Sequence, residues 1–355
     1  MAKQITASTL GTSPDTYLYT LARSDDEQVI ATIASDDSLR IFNPTLNVLQ
    51  TSKPCHNGVS CLKSGSRGFF TAGRDGLIKQ WDLRGNQSAG HISEPQNRSF
   101  SALTVHGDHY VAAGTDSTKE GLGDVSVLIF DTRNPGKPLR NYSESHSDSI
   151  TQLAFHPSQS NMLLSASTDG LVSFFDVDQA DEDDALQRVL NPKSAVHCSG
   201  FLANDQSYVL TTDEVFSIYT LSDNADGSGD PTMEFGDMRE KLKCMYVIDI
   251  LQQHGNTPIM AYGHNENKTL SIVHLNGGAQ SWSFGSIIDF VGAHGEEVVR
   301  DMFLTKDQTR AYSCGEDGNV RVWDLSTSSR GGAGDTTTIF KKKRRDKKAE
   351  RFAPY

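Results

Sequence analysis

Three groups of side chains along this 355-residue chain combine a histidine, a hydroxyl, an aspartate and an aromatic residue at matched spacing. In each group the hydroxyl lies four residues before the aspartate, and the aspartate lies six residues before the aromatic residue. The groups are His56, Thr71, Asp75 and Trp81; His146, Ser165, Asp169 and Phe175; and His294, Ser313, Asp317 and Trp323. Histidine, hydroxyl and carboxylate together are the parts of a catalytic triad, in which the histidine takes the proton of a nucleophilic hydroxyl.

The repetition of these groups favours a structural role over a catalytic one. A catalytic centre occurs once per active site, whereas this combination recurs with its hydroxyl inside a predicted strand. We expect each aspartate to accept hydrogen bonds from its histidine and from turn amides. The histidine then bonds the hydroxyl, which accepts a hydrogen bond from the tryptophan indole N–H. Phe175 has no N–H, so its relay should be shorter, and the sequence predicts no catalytic residue and no enzymatic activity.

The offset of six residues belongs to a longer repeat. Seven times an acidic or amide residue precedes a bulky strand residue at this offset, and successive bulky residues lie 39 to 54 positions apart. The pairs are Asp36/Phe42, Asp75/Trp81, Asp124/Phe130, Asp169/Phe175, Asp213/Tyr219, Asn267/Val273 and Asp317/Trp323. This period is typical of four-stranded units that cannot fold alone and stack around an axis. The sequence therefore predicts an all-β, seven-bladed β-propeller over residues 1–325, a flexible linker over 326–340 and a basic tail over 341–355.

Closure of the ring requires one more strand, because an open edge strand invites aggregation. Residues Gln4–Leu10 are one candidate for the outermost strand of the last blade, and Thr336–Phe340 are the alternative. We favour the N-terminal segment.

The dipeptides Trp81-Asp82 and Trp323-Asp324 complete a pattern that resembles the WD-repeat β-propeller family over about nine-tenths of the chain. A narrower resemblance, to the WD repeat-containing protein 89 family, rests on the lysine-rich end and on the runs Tyr142–Gln152, Phe155–Ser158, Ser167–Val172, Phe175–Val177, Asp181–Leu186 and Gly292–His294. This resemblance implies a nuclear or nucleolar scaffold that binds other proteins on the faces of the ring.

Other chemistry finds no support in the sequence. There is no glycine-rich phosphate loop and no zinc-ligand spacing, so we predict neither a cofactor nor a metal. Five scattered cysteines without a Cys-x-x-Cys pair indicate free thiols in a reducing compartment: Cys55, Cys61, Cys198, Cys244 and Cys314. No apolar run approaches the roughly 18 residues of a membrane span, and the polar N-terminus is unlike a signal peptide.

Charge is distributed unevenly along the chain. The net charge is −12, but residues 341–355 carry eight basic and two acidic residues, so residues 1–340 carry −18. An acidic body repels nucleic acid and favours basic protein partners. The tail residues Lys341, Lys342, Lys343, Arg344, Arg345, Lys347 and Lys348 predict nuclear import, with RNA contact or inert charge as the alternatives.

Two regions are candidates for holding a basic partner. The first is a rim on the face that carries the aspartate turns: Ser35, Arg74, Thr168, Thr212, Glu266, Glu296, Glu297 and Glu316. The second is an acidic loop on the opposite face, between the third and fourth strands of blade four: Asp178, Asp181, Glu182, Asp183 and Asp184. Either region is an ordinary solvated surface if it has no binding role.

A Trp-Asp-x-Arg strand end favours a different function. Asp82 and Arg84 end blade two, and Asp131 and Arg133 end blade three. Such ends are the signature of propellers that dock on the adaptor of cullin-type ubiquitin ligases as substrate receptors, although the arginine can also bond its own turn.

The favoured function is a non-enzymatic nuclear scaffold whose acidic propeller binds a basic client such as a ribosomal protein or a histone, in ribosome assembly. We expect a monomeric propeller within a larger complex, with RNA contact through the tail only and no membrane. The alternative is the ligase substrate receptor.

Overall fold

The computed structural model describes residues 1–83, 88–202, 205–221, 229–252, 257–278 and 281–326. These residues form seven four-stranded antiparallel sheets. The sheets confirm the predicted seven-bladed propeller, and each predicted Asp-to-bulky-residue pair lies on the third strand of its blade or in the turn before it. We call the face with the turns between second and third strands the upper face, and the opposite one the lower face.

Each blade is listed from its innermost to its outermost strand. Blades one to four contain β2 (Leu18–Arg23), β3 (Ile30–Ala34), β4 (Leu39–Phe42) and β5 (Val48–Ser52); β6 (Val59–Gly65), β7 (Gly68–Gly73), β8 (Leu77–Asp82) and β9 (Ser88–Ser93); β10 (Phe100–His106), β11 (Tyr110–Thr115), β12 (Val127–Asp131) and β13 (Arg140–Tyr142); and β14 (Ile150–Phe155), β15 (Met162–Ser167), β16 (Val172–Asp176) and β17 (Leu186–Leu190). Blades five to seven contain β18 (Val196–Leu202), β19 (Gln206–Thr211), β20 (Val215–Thr220) and β21 (Met233–Asp237); β22 (Tyr246–Leu251), β23 (Ile259–His264), β24 (Thr269–Gly278) and β25 (Ser281–Val291); and β26 (Val299–Leu304), β27 (Arg310–Gly315), β28 (Val320–Asp324) and β1 (Lys3–Ser8).

The N-terminal strand closes the ring, as predicted. β1 pairs antiparallel with β28, from Lys3 opposite Asp324 to Ser8 opposite Val320. This pairing covers the edge of β28 that would otherwise be open.

The core lies between neighbouring blades. Every residue of β3 and β7 is buried, because each of these second strands has blades packed against both faces. One apolar cluster joins blades one and two through Ile33, Phe69 and Trp81, which are 0%, 0% and 5% exposed. Burying a side chain of this size stabilises the fold by about 1.5–3 kcal/mol, which explains why the blades fold together.

A β-bulge recurs in the innermost strand of all seven blades. In each, the register shifts at one residue near the start of the paired segment: Tyr19, Ser60, Ser101, Thr151, His197, Ile248 and Arg300. A bulge re-aims a side chain and bends the strand. The small members stabilise the ring, since Ser60 and Ser101 donate to main-chain oxygens of the next blade, Phe100 O at 2.6 Å and Ile150 O at 2.7 Å.

Blade six has a long outer hairpin that the sequence did not predict. β24 and β25 have 10 and 11 residues, and Trp282 from β25 is buried against blade five. Its indole Nε1 donates to Gln206 Oε1 at 3.0 Å. This contact ties two blades together at the lower face.

Two short helices occur among the described residues, α1 (Glu182–Ala185) and α2 (Met238–Leu242). Neither has the length or apolar character of a membrane span.

Candidate functional site

The three repeated histidine groups form hydrogen-bonded relays under the upper face. His56 Nδ1 lies 2.9 Å from Asp75 Oδ1, and its Nε2 lies 2.8 Å from Thr71 Oγ1, which accepts from Trp81 Nε1 at 2.8 Å. Blade seven repeats this geometry with distances of 2.7, 2.8 and 3.0 Å among His294, Asp317, Ser313 and Trp323. The aspartates also accept turn amides, as Asp75 does from Asn57 N at 3.1 Å and Leu77 N at 3.2 Å.

The blade-four relay stops at its hydroxyl. His146 bridges Asp169 at 3.0 Å and Ser165 at 2.7 Å. Phe175 takes the place of the tryptophan and stacks on Tyr142, with ring centroids 4.7 Å apart. Aromatic packing therefore replaces the indole hydrogen bond here.

The protonation states in the relays follow from burial. Burial lowers the pKa of His56 and of His294, against the opposing effect of their aspartates, so both imidazoles are neutral at pH 7. Burial also opposes ionisation of Asp317, but hydrogen bonds from His294 and Arg321 outweigh it and hold the pKa of that carboxyl well below its usual range. The relay hydroxyls of Thr71, Ser165 and Ser313 are 0% exposed, so no substrate reaches them.

Two other blades hold an arginine of low exposure bonded to an acid four residues before it, which the sequence did not reveal. In blade one, Arg40 contacts Ser38 and Asp36, and its side chain is 5% exposed. In blade three, Arg98 donates to Ser126 Oγ at 2.9 Å and to Glu94 Oε1 at 2.7 Å, and the Glu94 side chain is 0% exposed. The only sequence signal is an acid and an arginine four residues apart, which also occurs on exposed surfaces.

The predicted rim residues lie on the upper face, but several are already bonded. Arg300 forms an ion pair with Glu316, and Lys268 forms one with Glu296 at 3.0 Å. Ser35 Oγ accepts from Tyr17 N at 2.9 Å. The other members are half-buried or exposed: Arg74, Thr168, Thr212, Glu266 and Glu297. Basic neighbours thus partly neutralise the acids at blades six and seven.

The axis of the ring contains a polar cavity of about 410 Å³. Asp301 lies in its wall and accepts from Thr20 Oγ1 at 2.6 Å and Leu21 N at 2.7 Å. Burial raises the pKa of Asp301 to about 6, and burial also raises the pKa of Asp249 in the same wall. The bonds from Asp301 join blade seven to blade one across the closure.

The acidic loop of blade four contains one half-buried acid, Glu182, and four exposed aspartates. Glu182 accepts from Ser143 N at 2.6 Å and Ser145 N at 2.8 Å, and also from Glu144 N, so it fixes the chain that leads to the relay histidine of this blade. The exposed members are Asp178, Asp181, Asp183 and Asp184. Among the described residues none of these four forms an ion pair.

A cavity of about 310 Å³ opens beside this loop, between blades three and four on the lower face. We call it the blade 3–4 cavity, and its wall is mixed: one part is formed by Tyr110, Ile129, Leu139, Phe155 and Val177, and the polar part by His106, Arg140, Ser160, Asn161 and Asp178. Tyr110 is 40% exposed and Leu139 is 42% exposed at the edge of this cavity. Arg140 donates to Val177 O and Asp178 O, each at 3.0 Å, and thereby joins the cavity to the start of the acidic loop.

The predicted ligase-docking residues are only partly described. Arg133 lies at the lower end of β12, where it bonds Asp131 at 2.6 Å with a side chain that is 59% exposed. Asp82 ends β8, and Arg84 lies outside the described residues. The predicted import residues 341–348 also lie outside them.

All five cysteines are buried and free. In the described ranges, no cluster of three or more histidine, cysteine or acidic side chains is arranged to hold a metal ion.

Radial four-stranded sheets, relays and ring closure together define the class: the chain is a WD-repeat β-propeller. Residues 47–82, 136–176 and 285–324 match the WD domain, G-beta repeat family. Each match contains one of the three histidine relays. The matched segments begin in the outermost strand of one blade, or just before it, and end in the third strand of the next.

The relatives extend this similarity over most of the chain. An uncharacterized WD repeat-containing protein of Saccharomyces cerevisiae is 36% identical over 250 residues, which are 70% of this chain and 61% of that protein. The chain thus spans about six-tenths of the length of this relative. WD repeat-containing protein 89 homolog of Dictyostelium discoideum is 24% identical over 325 residues, 88% of this chain and 85% of that one. A shorter match, 28% over 147 residues, is to DDB1- and CUL4-associated factor 13 of Xenopus laevis, with 40% of this chain and 32% of that protein covered.

Proposed function

We propose that this propeller is a scaffold that binds a basic client protein through the acidic loop of blade four. Propellers built from these repeats generally serve protein interaction rather than catalysis. The observation that carries the proposal is the set of four exposed aspartates, Asp178, Asp181, Asp183 and Asp184, none of which forms an ion pair among the described residues.

The choice between the two predicted surfaces rests on electrostatics. On the upper rim Glu316 and Glu296 each have a basic partner, so their fields largely cancel. Beside the acidic loop Arg140 donates to main-chain oxygens, Val177 O and Asp178 O, and the four exposed aspartates form no ion pair among the described residues. Uncompensated charge steers a partner of opposite sign and fixes its orientation.

Nuclear residence and ribosome assembly complete the proposal. The acidic body favours a ribosomal protein or a histone as the client, and the basic run at 341–348 supports import. A fluorescent fusion that lacks residues 341–355 should lose its nuclear accumulation, and retention in the nucleus would remove the import role.

Affinity purification tests the scaffold directly. We expect the wild-type chain to recover basic ribosomal proteins or histones, and a variant with all four exposed aspartates changed to Asn to lose them. Asn at position 181 keeps the acceptor for Asp183 N at the start of α1, so the loop should retain its fold. A matched control changes Glu296, Glu297 and Glu316 to Gln. Equal recovery by the Asn variant and the wild-type chain would contradict the proposal.

The second candidate function is a substrate receptor of a cullin-type ubiquitin ligase. It is supported by the exposed Arg133 on the lower face and by the partial similarity to a DDB1- and CUL4-associated factor. The same purification discriminates the two functions, because this one predicts recovery of a cullin and its adaptor, lost on Arg133→Ala.

A further inference from the structure

We propose that the chain's own segment Ile339–Arg345 binds the lower face, with Ile339 and Phe340 in the blade 3–4 cavity and the basic residues that follow against the acidic loop. This inference rests on the proposed function, because it assigns an internal competitor to the same acidic surface.

The cavity has the size and chemistry to take an apolar pair. Its volume of about 310 Å³ lies at the lower end of the range in which binding pockets are found. Part of its wall is apolar, formed by Ile129, Leu139 and Phe155, and the rings of His106 and Phe155 lie 4.9 Å apart within it. Tyr110 and Leu139 at its edge remain about two-fifths exposed.

Charge complementarity fixes the direction of the segment. Asp178 belongs both to the wall of the cavity and to the acidic loop. Past it come the exposed carboxylates of Asp181, Asp183 and Asp184. In the sequence Ile339-Phe340-Lys341-Lys342-Lys343-Arg344-Arg345, an apolar pair is followed at once by five basic residues. An apolar pair next to a cationic run therefore meets the apolar part of the cavity wall next to an anionic run.

The chain is long enough to make this contact. Leu325 N donates to Thr309 O, so β28 ends at the lower face, which is the face that holds the cavity. From Ser326 to Ile339 there are 13 peptide links, which extend to about 43 Å. A compact ring of this size has a radius of gyration of about 20 Å, so a path across one face is within reach.

Binding of the tail segment to the lower face should weaken the binding of the client. The client must displace the segment, so the full chain should bind a lysine-rich peptide more tightly when Ile339 and Phe340 are changed to Asp. We expect the affinity for the peptide to rise about three-fold, because a segment linked to the chain competes at an effective concentration in the millimolar range.

Cross-linking in the full-length chain tests the contact. The five native cysteines are at most 8% exposed, so a short bis-maleimide reacts with introduced cysteines instead. One variant carries Thr337→Cys with Ser160→Cys, which lies at the cavity. The matched control carries Thr337→Cys with Ser66→Cys, an exposed position in the corresponding turn of blade two. Blade two is only two blades from blade seven, whereas blade four is three away, so an unbound tail would favour the control.

We expect an intramolecular link to position 160 at least five-fold more often than to position 66, and loss of that preference on Leu139→Asp, a change at an exposed side chain. Equal yields, or links that join two copies, would overturn the inference. The proposed function fails separately, if the four-Asn variant still binds the lysine-rich peptide as the wild-type chain does.

Discussion

Two acidic regions of this propeller have similar composition and different availability. The rim at blades six and seven contains Glu266, Glu296, Glu297 and Glu316, and two of these four pair with Lys268 and Arg300. The acidic loop of blade four has four aspartates without an ion pair among the described residues, and its fifth acid, Glu182, bonds main-chain amides. The number of acids in a segment therefore does not determine how much negative charge a partner meets. That charge depends on whether basic side chains or main-chain amides already bind each carboxylate.

The largest expected effect is a difference in stability between variants of two adjacent residues, Glu316 and Asp317, in the turn before β28. Asp317→Ala leaves the donors of His294 and Arg321 without an acceptor and should lower the free energy of unfolding by about 1–3 kcal/mol. Glu316→Ala removes an exposed pair worth at most about 1 kcal/mol. Urea denaturation of both variants measures the difference, and equal losses would refute the relay as a source of stability.

A comparable test lies within the acidic loop. Glu182→Ala should destabilise the fold by about 1–2 kcal/mol, because three main-chain amides lose their acceptor. Asp184→Ala, two residues along, should change stability by less than about 0.5 kcal/mol because its side chain is exposed. Thermal unfolding of the two variants measures this difference. A Glu182→Ala variant as stable as the wild-type chain would show that the hydrogen bonds of Glu182 do not stabilise the fold.

Removal of the basic partners of the rim acids should make the rim bind a basic peptide more tightly, as we expect of the acidic loop. Changing Lys268 and Arg300 to Gln frees Glu296 and Glu316, so a lysine-rich peptide should bind about three-fold more tightly to that variant at low salt. The gain should disappear at about 0.5 M salt, since exposed charges are then screened. Titration at both salt concentrations checks this, and an unchanged affinity at low salt would show that pairing does not limit the rim.

The pH dependence of stability should report the relays. His56 and His294 have lowered pKa values in the fold, so the unfolded chain takes up protons first as the pH falls below about 6.5. The contribution of the relays to stability is therefore complete above that pH and declines on acidification, with a further decline below about pH 4 as Asp75 and Asp317 are protonated. Denaturation at pH 8, 6 and 4 measures it, and a flat profile would contradict the neutral buried histidines.

The smallest effect concerns a buried acid that acts in the opposite direction. Burial raises the pKa of Glu214 to about 7, so the folded chain holds this proton and loses stability as the pH rises from about 4 to 7. Glu214→Gln keeps an acceptor for Val247 N and should raise the melting temperature slightly at pH 8 but not at pH 5. Destabilisation at pH 8 would mean that the charged carboxylate is needed.

Most of the fold could be predicted from the sequence, because the repeat, the Asp turns and the alternating strands are local signals. The predicted Asp-to-bulky-residue pairs all lie at the third strands, and the predicted N-terminal strand closes the ring. The long hairpin of blade six could not be predicted, since Trp282 finds Gln206 in a different blade.

Less of the candidate site could be predicted, because burial and pairing depend on neighbours that are distant in sequence. In the sequence Glu182 cannot be distinguished from the other acids of the loop, because its amide partners lie 37 to 39 residues away. The sequence does not distinguish Arg98 from a surface arginine, although its side chain donates to Ser126 and to the buried Glu94. The same limit applies to Glu296 and Glu316, whose basic partners lie 28 and 16 residues away.

The most direct measurement is the affinity of one lysine-rich peptide for two variants of the full-length chain, one with Asn at 178, 181, 183 and 184 and one with Gln at 296, 297 and 316. Isothermal titration should give about a ten-fold loss for the first, equivalent to about 1.4 kcal/mol, and less than about a two-fold change for the second. A larger loss from the rim variant than from the loop variant would contradict the account.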